Sequence, residues 1–221
     1  MLGDAIGDLL PAAVAVALSP IPIVAVVLVL GSRHARSAGQ AFAAGWIIGL
    51  TAVATVVVLV LPGGSAGGEE SGVAWLKLAI GVLFLVMAGR QWQKRPREGR
   101  EPELPGWMAT IDTATAPKAL LLGLGLSGAN PKNLALTLAA AASIAESGLD
   151  AADEAIAVAV FVAIGSMTVA GAVLAHLLGG DRVARPLAAI RAFMATNNAV
   201  IMMVVLLILG VKFIGDAVGG L

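Results

Sequence analysis

Six stretches of this chain are apolar almost throughout, and each has about the 20 residues that a helix needs to cross a bilayer's hydrocarbon core. They run over roughly 9–30, 39–61, 72–90, 119–142, 153–178 and 195–217. Only 13% of the 221 residues are charged, against about 25% in a soluble domain. A globule of this composition would lack the polar surface to face water, and the mean hydropathy of +0.95 agrees. The sequence therefore predicts an all-α integral membrane protein with six transmembrane helices.

The basic residues orient these spans. Arg33 and Arg36 fall between the first and second. Arg90, Lys94, Arg95, Arg97, Arg100 and Lys118 fall between the third and fourth, and Arg182, Arg185 and Arg191 between the fifth and sixth. The two remaining loops carry Glu69, Glu70, Glu146 and Asp150 and no basic residue. Positive loops stay cytoplasmic, so both termini are expected outside an inner (plasma) membrane. Residues 1–10 hold no Lys or Arg, and no cleaved signal peptide is expected. The long connection at 91–118 is read as a cytoplasmic linker. Its first part is a basic run suited to anionic headgroups. Leu104, Trp107, Met108 and Ile111 then follow at the spacing of a short amphipathic helix, with a loose linker as the alternative.

Composition also excludes chemistry. The chain has no cysteine and two histidines, His34 and His176. Disulfides and thiolate metal sites are ruled out, and neither a metal site, a cofactor nor an enzyme activity is expected. A nucleic-acid partner is not expected either. Gly123 to Gly128 matches a dinucleotide fingerprint as text, but that motif needs a preceding strand in a soluble βαβ unit. Here the glycines lie inside an apolar span and read as packing positions.

Two of the spans are interrupted alike. The first contains Leu18-Ser19-Pro20-Ile21-Pro22 and the fourth Ala129-Asn130-Pro131-Lys132-Asn133. Proline lacks the backbone donor and clashes one turn back, so a helix opens there. In lipid such an opening survives only where protein or a cavity satisfies the freed groups. A matched pair of broken spans, one per half, points to a transporter's central site. The chain is accordingly read as a single transmembrane domain, 1–221. Two three-helix repeats of opposite topology, 1–90 and 119–221, are joined by the linker 91–118. Ser19-Pro20 then matches Asn130-Pro131, Gly49 matches Gly165, and Gly89-Arg90 matches Gly210-Val211-Lys212.

Lys132 is the sharpest position. It lies about 13 residues into its span, where insertion of a lysine costs ~2.5–3.5 kcal/mol and an ionisable residue marks function by default. No Asp or Glu lies equally deep. The expected partners of Lys132 are therefore carbonyls freed by Pro20, Pro22 and Pro131, the side chains of Ser19, Asn130 and Asn133, water, or an anionic ligand. The missing carboxylate lowers the rank of metal-cation transport, and an ammonium beside helix N-termini favours an anionic or polar substrate.

The other polar residues carry less. Thr51, Thr55, Ser127, Thr137, Ser166 and Thr168 are expected to bond their own helices. Gly45, Gly49 and Gly165 are read as helix-packing positions, Lys77 and Lys212 as snorkelling to the outer interface, and His176 as interfacial. Trp75 and Trp92 fit the two aromatic belts.

Six spans in three-plus-three form, Ser-Pro-x-Pro in the first and Asn-Pro-Lys in the fourth resemble the LysE superfamily of membrane exporters. The wording of Ala17–Pro22 and Asn130–Asn133 is similar to its GAP branch, the peptidoglycolipid-addressing proteins. Ser-Pro-Ile-Pro departs from the Ser-Pro-Gly-Pro of amino-acid exporters, which argues against an amino-acid substrate. The resemblance implies movement of cell-envelope glycolipids toward the surface, in company with a larger lipid exporter. The expected function is export of a polar or anionic (glyco)lipid through a midplane site formed by Ser19, Pro20, Pro22, Asn130, Pro131, Lys132 and Asn133. The alternatives are a small-metabolite exporter and a non-transporting accessory subunit of a lipid exporter. Membrane lipids are the expected surroundings, and a glycine-lined span is compatible with a homodimer.

Overall fold

A computed structural model describes residues 1–60, 70–93, 95, 111 and 114–219. Eight α-helices are found among the described residues: α1 (Leu2–Ala17), α2 (Pro20–Leu30), α3 (Ala35–Val60), α4 (Glu70–Gln93), α5 (Ala116–Gly128), α6 (Pro131–Glu146), α7 (Ala151–Gly179) and α8 (Ala184–Gly219). Three of them, α3, α7 and α8, are each long and apolar enough to cross a membrane, and α1 with α2 forms a fourth such unit, bent by 49° at its break. The protein is thus an all-helical membrane protein. The linker residues Leu104, Trp107 and Met108, on which the amphipathic-helix expectation rests, lie outside the described residues. Ile111 is described and is buried.

The two breaks have the same local cause. A residue before proline is pushed out of the helical region into an extended one. Ser19 sits at φ −68°, ψ 113°, and Asn130 at φ −72°, ψ 119°. In both cases proline then occupies the first position of the next helix, where its missing N–H is no loss. The sequence expected six spans, two of them interrupted; the structure has two helices at each break, α1/α2 and α5/α6, and among the described residues α1/α2 is the broken pair long and apolar enough to count as a span, giving three or four spans in all.

Packing relies on glycine. α3 lies along α5, and a Cβ on Gly45 would run into the Leu120 carbonyl oxygen, one on Gly49 into Ser127 Oγ, and one on Gly123 into the Phe42 carbonyl oxygen. A second pair, α4 and α8, meets reciprocally. A Cβ on Gly81 would lie 3.0 Å from the Gly210 carbonyl oxygen, and one on Gly210 3.0 Å from that of Gly81. Phe84 and Phe213 pack beside this contact with ring centroids 5.8 Å apart. Gly89, the expected counterpart of Gly210, borders open space instead; Gly81, two helical turns earlier, is the residue that faces α8. Gly165 abuts Val16 and Leu50.

Two further expectations need correction. Arg185 and Arg191 are not loop residues. Gly180, at φ 52°, ends α7, a 3-10 turn (Gly180–Val183) follows, and α8 starts at Ala184. Pro186 is the third residue of α8, inside the first turn where proline is tolerated, so nothing stops the helix from beginning well before the apolar run. Lys77 and Lys212 do not simply extend to the interface. Lys77 pairs with Glu146, tying α4 to the end of α6, and Lys212 pairs with Asp216 one turn on. Trp75 and Trp92 are exposed at opposite ends of α4, and the Arg95 guanidinium stacks 3.8 Å over the Trp92 ring.

Gly123→Leu should force α3 and α5 apart and cost at least ~1–3 kcal/mol, the usual range for overpacking. Gly125→Leu, where a Cβ meets nothing within 4 Å, should be close to neutral. Thermal unfolding of the two variants in detergent compares them directly.

Candidate functional site

A break inside an apolar helix leaves carbonyls without donors, and each unpaired buried one costs ~1–3 kcal/mol. The last four carbonyls of α1 show how this chain meets the demand. Leu18 N–H takes the Val14 oxygen in the ordinary way. Pro20 has no N–H to give Val16, so the Ser19 N–H bonds Val16 instead, at 3.1 Å. That shift strands Ala15 and leaves Ala17 open. Lys132 Nζ donates to the Ala15 oxygen at 2.9 Å, and Thr168 Oγ1 of α7 donates to the Ala17 oxygen at 2.6 Å.

The second break is met similarly. Asn133 Nδ2 donates to the Leu126 carbonyl near the end of α5, at 3.0 Å. Asn133 Oδ1 accepts from Ser19 Oγ at 2.8 Å. Ser19 Oγ in turn accepts from Lys132 Nζ at 2.8 Å. A hydroxyl has one proton and two lone pairs, so donation to Asn133 and acceptance from Lys132 are compatible and complementary. The result is a continuous chain, Lys132 to Ser19 to Asn133 to Leu126, that joins the two breaks. Ser19 is 2% exposed, Lys132 4% and Asn133 fully buried.

Three of the seven site residues expected from the sequence thus meet: Ser19, Lys132 and Asn133. Asn130 does a different job. Its Oδ1 accepts from the Lys132 backbone N–H at 3.1 Å and caps α6. Ser19, at the equivalent position of α2, makes no side-chain cap, because its hydroxyl is committed to the node. Pro20 and Pro22 are buried in the first turn of α2, while Pro131 is exposed at the start of α6. The prolines shape the breaks and offer no polar atom to the node.

The ion pairs among the described residues are those of Met1 with Asp4, Lys77 with Glu146 and Lys212 with Asp216, so the Lys132 ammonium is held by neutral oxygens. An ammonium has three N–H donors, and these bonds use two. The node therefore combines an amine that has no carboxylate beside it among the described residues with a remaining donor, a combination suited to an anionic oxygen.

Thr168 was expected to bond its own helix. Instead it reaches α1, which sequence could not foretell, since it depends on how α7 lies against the break. Thr137 and Ser127 do bond their own helices, to Asn133 and Leu124. Thr51, Thr55 and Ser166 line a groove between α3 and α7.

Thr168→Val keeps the shape of the side chain but leaves the Ala17 carbonyl without its donor. It should lower stability by ~1–3 kcal/mol, whereas Thr168→Ser should restore most of the loss; thermal unfolding of both in detergent gives the comparison.

No curated protein and no solved structure matches this chain. A family model does match, and it covers nearly every described helix. Residues 9–219 fit the model described as Sap, sulfolipid-1-addressing protein, and the chain belongs to that SfLAP family.

Proposed function

We propose that this protein exports a polar or anionic cell-envelope lipid, with the node between the two broken helices as the place where the headgroup is held. The observation that carries this reading is the buried Lys132 ammonium at the junction of both breaks, with no carboxylate partner among the described residues. Membership of a family described as sulfolipid-1-addressing agrees, since a sulfolipid bears an anionic group that an ammonium attracts. On this reading Lys132 neutralises the headgroup, and Ser19, Asn133 and opened backbone hydrogen-bond it.

The accompanying topology is six spans in a three-plus-three inverted repeat of LysE type, with α1/α2 and α5/α6 as the first and fourth spans and both termini outside. The Lys77–Glu146 pair supports it, because both residues belong to the outer side in that arrangement. So does the near-identity of the backbone angles at Ser19 and Asn130. α1 and α6 then form the outer halves of the broken spans, and α2 and α5 the inner halves. α1 packs along α6, while α2 and α5 barely touch. Closer packing between the two outer halves than between the two inner halves is in keeping with a lipid that loads from the cytoplasmic side. A larger lipid exporter as partner, or a second copy of this chain, fits the same reading.

A second reading is favoured by one observation: Lys132 already has two good acceptors within the chain. A protein that used its breaks only to shape an interface, as an accessory subunit of a lipid exporter, would have this property too. Lys132→Gln separates the two. It keeps an N–H donor for Ala15 or Ser19 but removes the charge. Under the export reading, surface lipid measured by lipidomics falls to the level of cells lacking the protein, while the purified variant stays monodisperse. Unchanged surface lipid in a well-expressed Lys132→Gln strain sinks the export reading and favours the accessory one.

A further inference from the structure

The groove between α3 and α7 is unused by the node, and its chemistry is distinct. It is an open-sided furrow of about 660 Å³, within the ~300–1,000 Å³ span of ligand sites. On the α7 side it is bordered from Ala151 to Ala170, about 28 Å of helix at 1.5 Å per residue. Its walls are almost wholly aliphatic, and small residues such as Ala155, Ala159 and Ala163 follow one another at four-residue spacing along α7, keeping it open. Such a furrow, long, narrow and apolar, fits an extended hydrocarbon chain.

Its polar features are few: the Thr51 and Thr55 hydroxyls on the α3 wall, and Glu154 and Ser166 on the α7 wall. Near one end lies Glu154, in the first turn of α7 together with Asp153 and the capping Asp150. Carboxylates there repel an anionic headgroup, so that end takes the tail. Toward the other end lies Ser166, 4% exposed, whose hydroxyl has no hydrogen-bond partner among the described residues. A buried hydroxyl without a partner is costly, and Ser166 borders the groove, so a ligand oxygen there would supply the partner its hydroxyl lacks. Ser166 also adjoins the break: its neighbour Gly165 abuts Val16, next in sequence to Ala15, and Thr168 bonds Ala17.

We propose that the α3–α7 groove holds one acyl chain of the transported lipid, with the Ser166 hydroxyl donating to an oxygen of the chain's ester linkage and the tail running toward Glu154. This deepens the export reading and rests on it for the lipid's identity. It places headgroup and tail on adjoining parts of the fold: the headgroup at the node, the linkage at Ser166, and the hydrocarbon between α3 and α7.

The test uses the full chain in nanodiscs containing a phosphatidylglycerol with a diazirine in its palmitoyl chain. After illumination, label should concentrate on peptides spanning 47–59 and 151–170. Ala159→Trp, which fills the groove, should lower that label about tenfold, and Ser166→Ala, which removes one hydrogen bond, about fivefold. Label on the lipid-facing surfaces of α4 and α8 should not change in either variant. Even labelling of all lipid-facing helices, or groove label indifferent to Ala159→Trp in a monodisperse protein, overturns the proposal. Surface lipid is read separately with Lys132→Gln. Normal surface lipid with groove-specific label removes the export reading alone, and even label with lost surface lipid removes the groove alone.

Discussion

An open carbonyl in hydrocarbon has no water to turn to, and the centre of this protein is arranged around that constraint. Pro20 and Pro131 each break a helix in apolar surroundings, and the stranded oxygens of Ala15, Ala17 and Leu126 draw donors from two other places in the chain, the start of α6 and the middle of α7. Because those donors sit on α6 and α7, each break is also a tertiary clamp. α1 is held by α6 through Lys132 and by α7 through Thr168, and the end of α5 is held by Asn133. The hydroxyl of Ser19 links the Lys132 and Asn133 clamps, so the two breaks share one hydrogen-bonded junction.

The rest of the fold keeps clear of this polar centre. The contacts made through Gly45, Gly49 and Gly123 bring α3 and α5 backbone to backbone, and Gly81 and Gly210 do the same for α4 and α8. Close approach of this kind depends on dispersion and shape, the forces available between helices when lipid removes the hydrophobic drive. Ionic contacts lie away from the centre: Lys77 with Glu146 and Lys212 with Asp216 are partly exposed, where such pairs contribute little to stability. Lys132 is the exception, ionisable and buried, and its neighbours are oxygens at the break of α1.

What the sequence disclosed followed from local rules. Proline's missing donor located both breaks to the residue, and the apolar runs marked regions that are helical, though not where α8 begins. Ser19, Lys132 and Asn133 were identifiable because a polar residue beside such a break needs a reason. What stayed hidden depended on how helices face one another. Ala15 is an ordinary alanine until the Ser19 N–H shifts to Val16. Thr168 looks like any membrane threonine until α7 is laid across α1. Gly81 and Gly89 are equivalent in sequence, and only the face that α4 turns to α8 tells them apart. The early start of α8 was masked by Arg185 and Arg191, which read as loop charges although their helix propensity is good.

That long last helix has a consequence for depth. Its 36 residues span about 54 Å, well beyond the ~30 Å of a hydrocarbon core. Arg191 and Lys212 are 21 positions apart on it, about 32 Å, so the uncharged stretch between them matches the bilayer with little to spare. Arg191 and Lys212 thus bracket an uncharged length of α8 about equal to the hydrocarbon core, so the spacing of two charges on one helix is itself a measure of bilayer thickness.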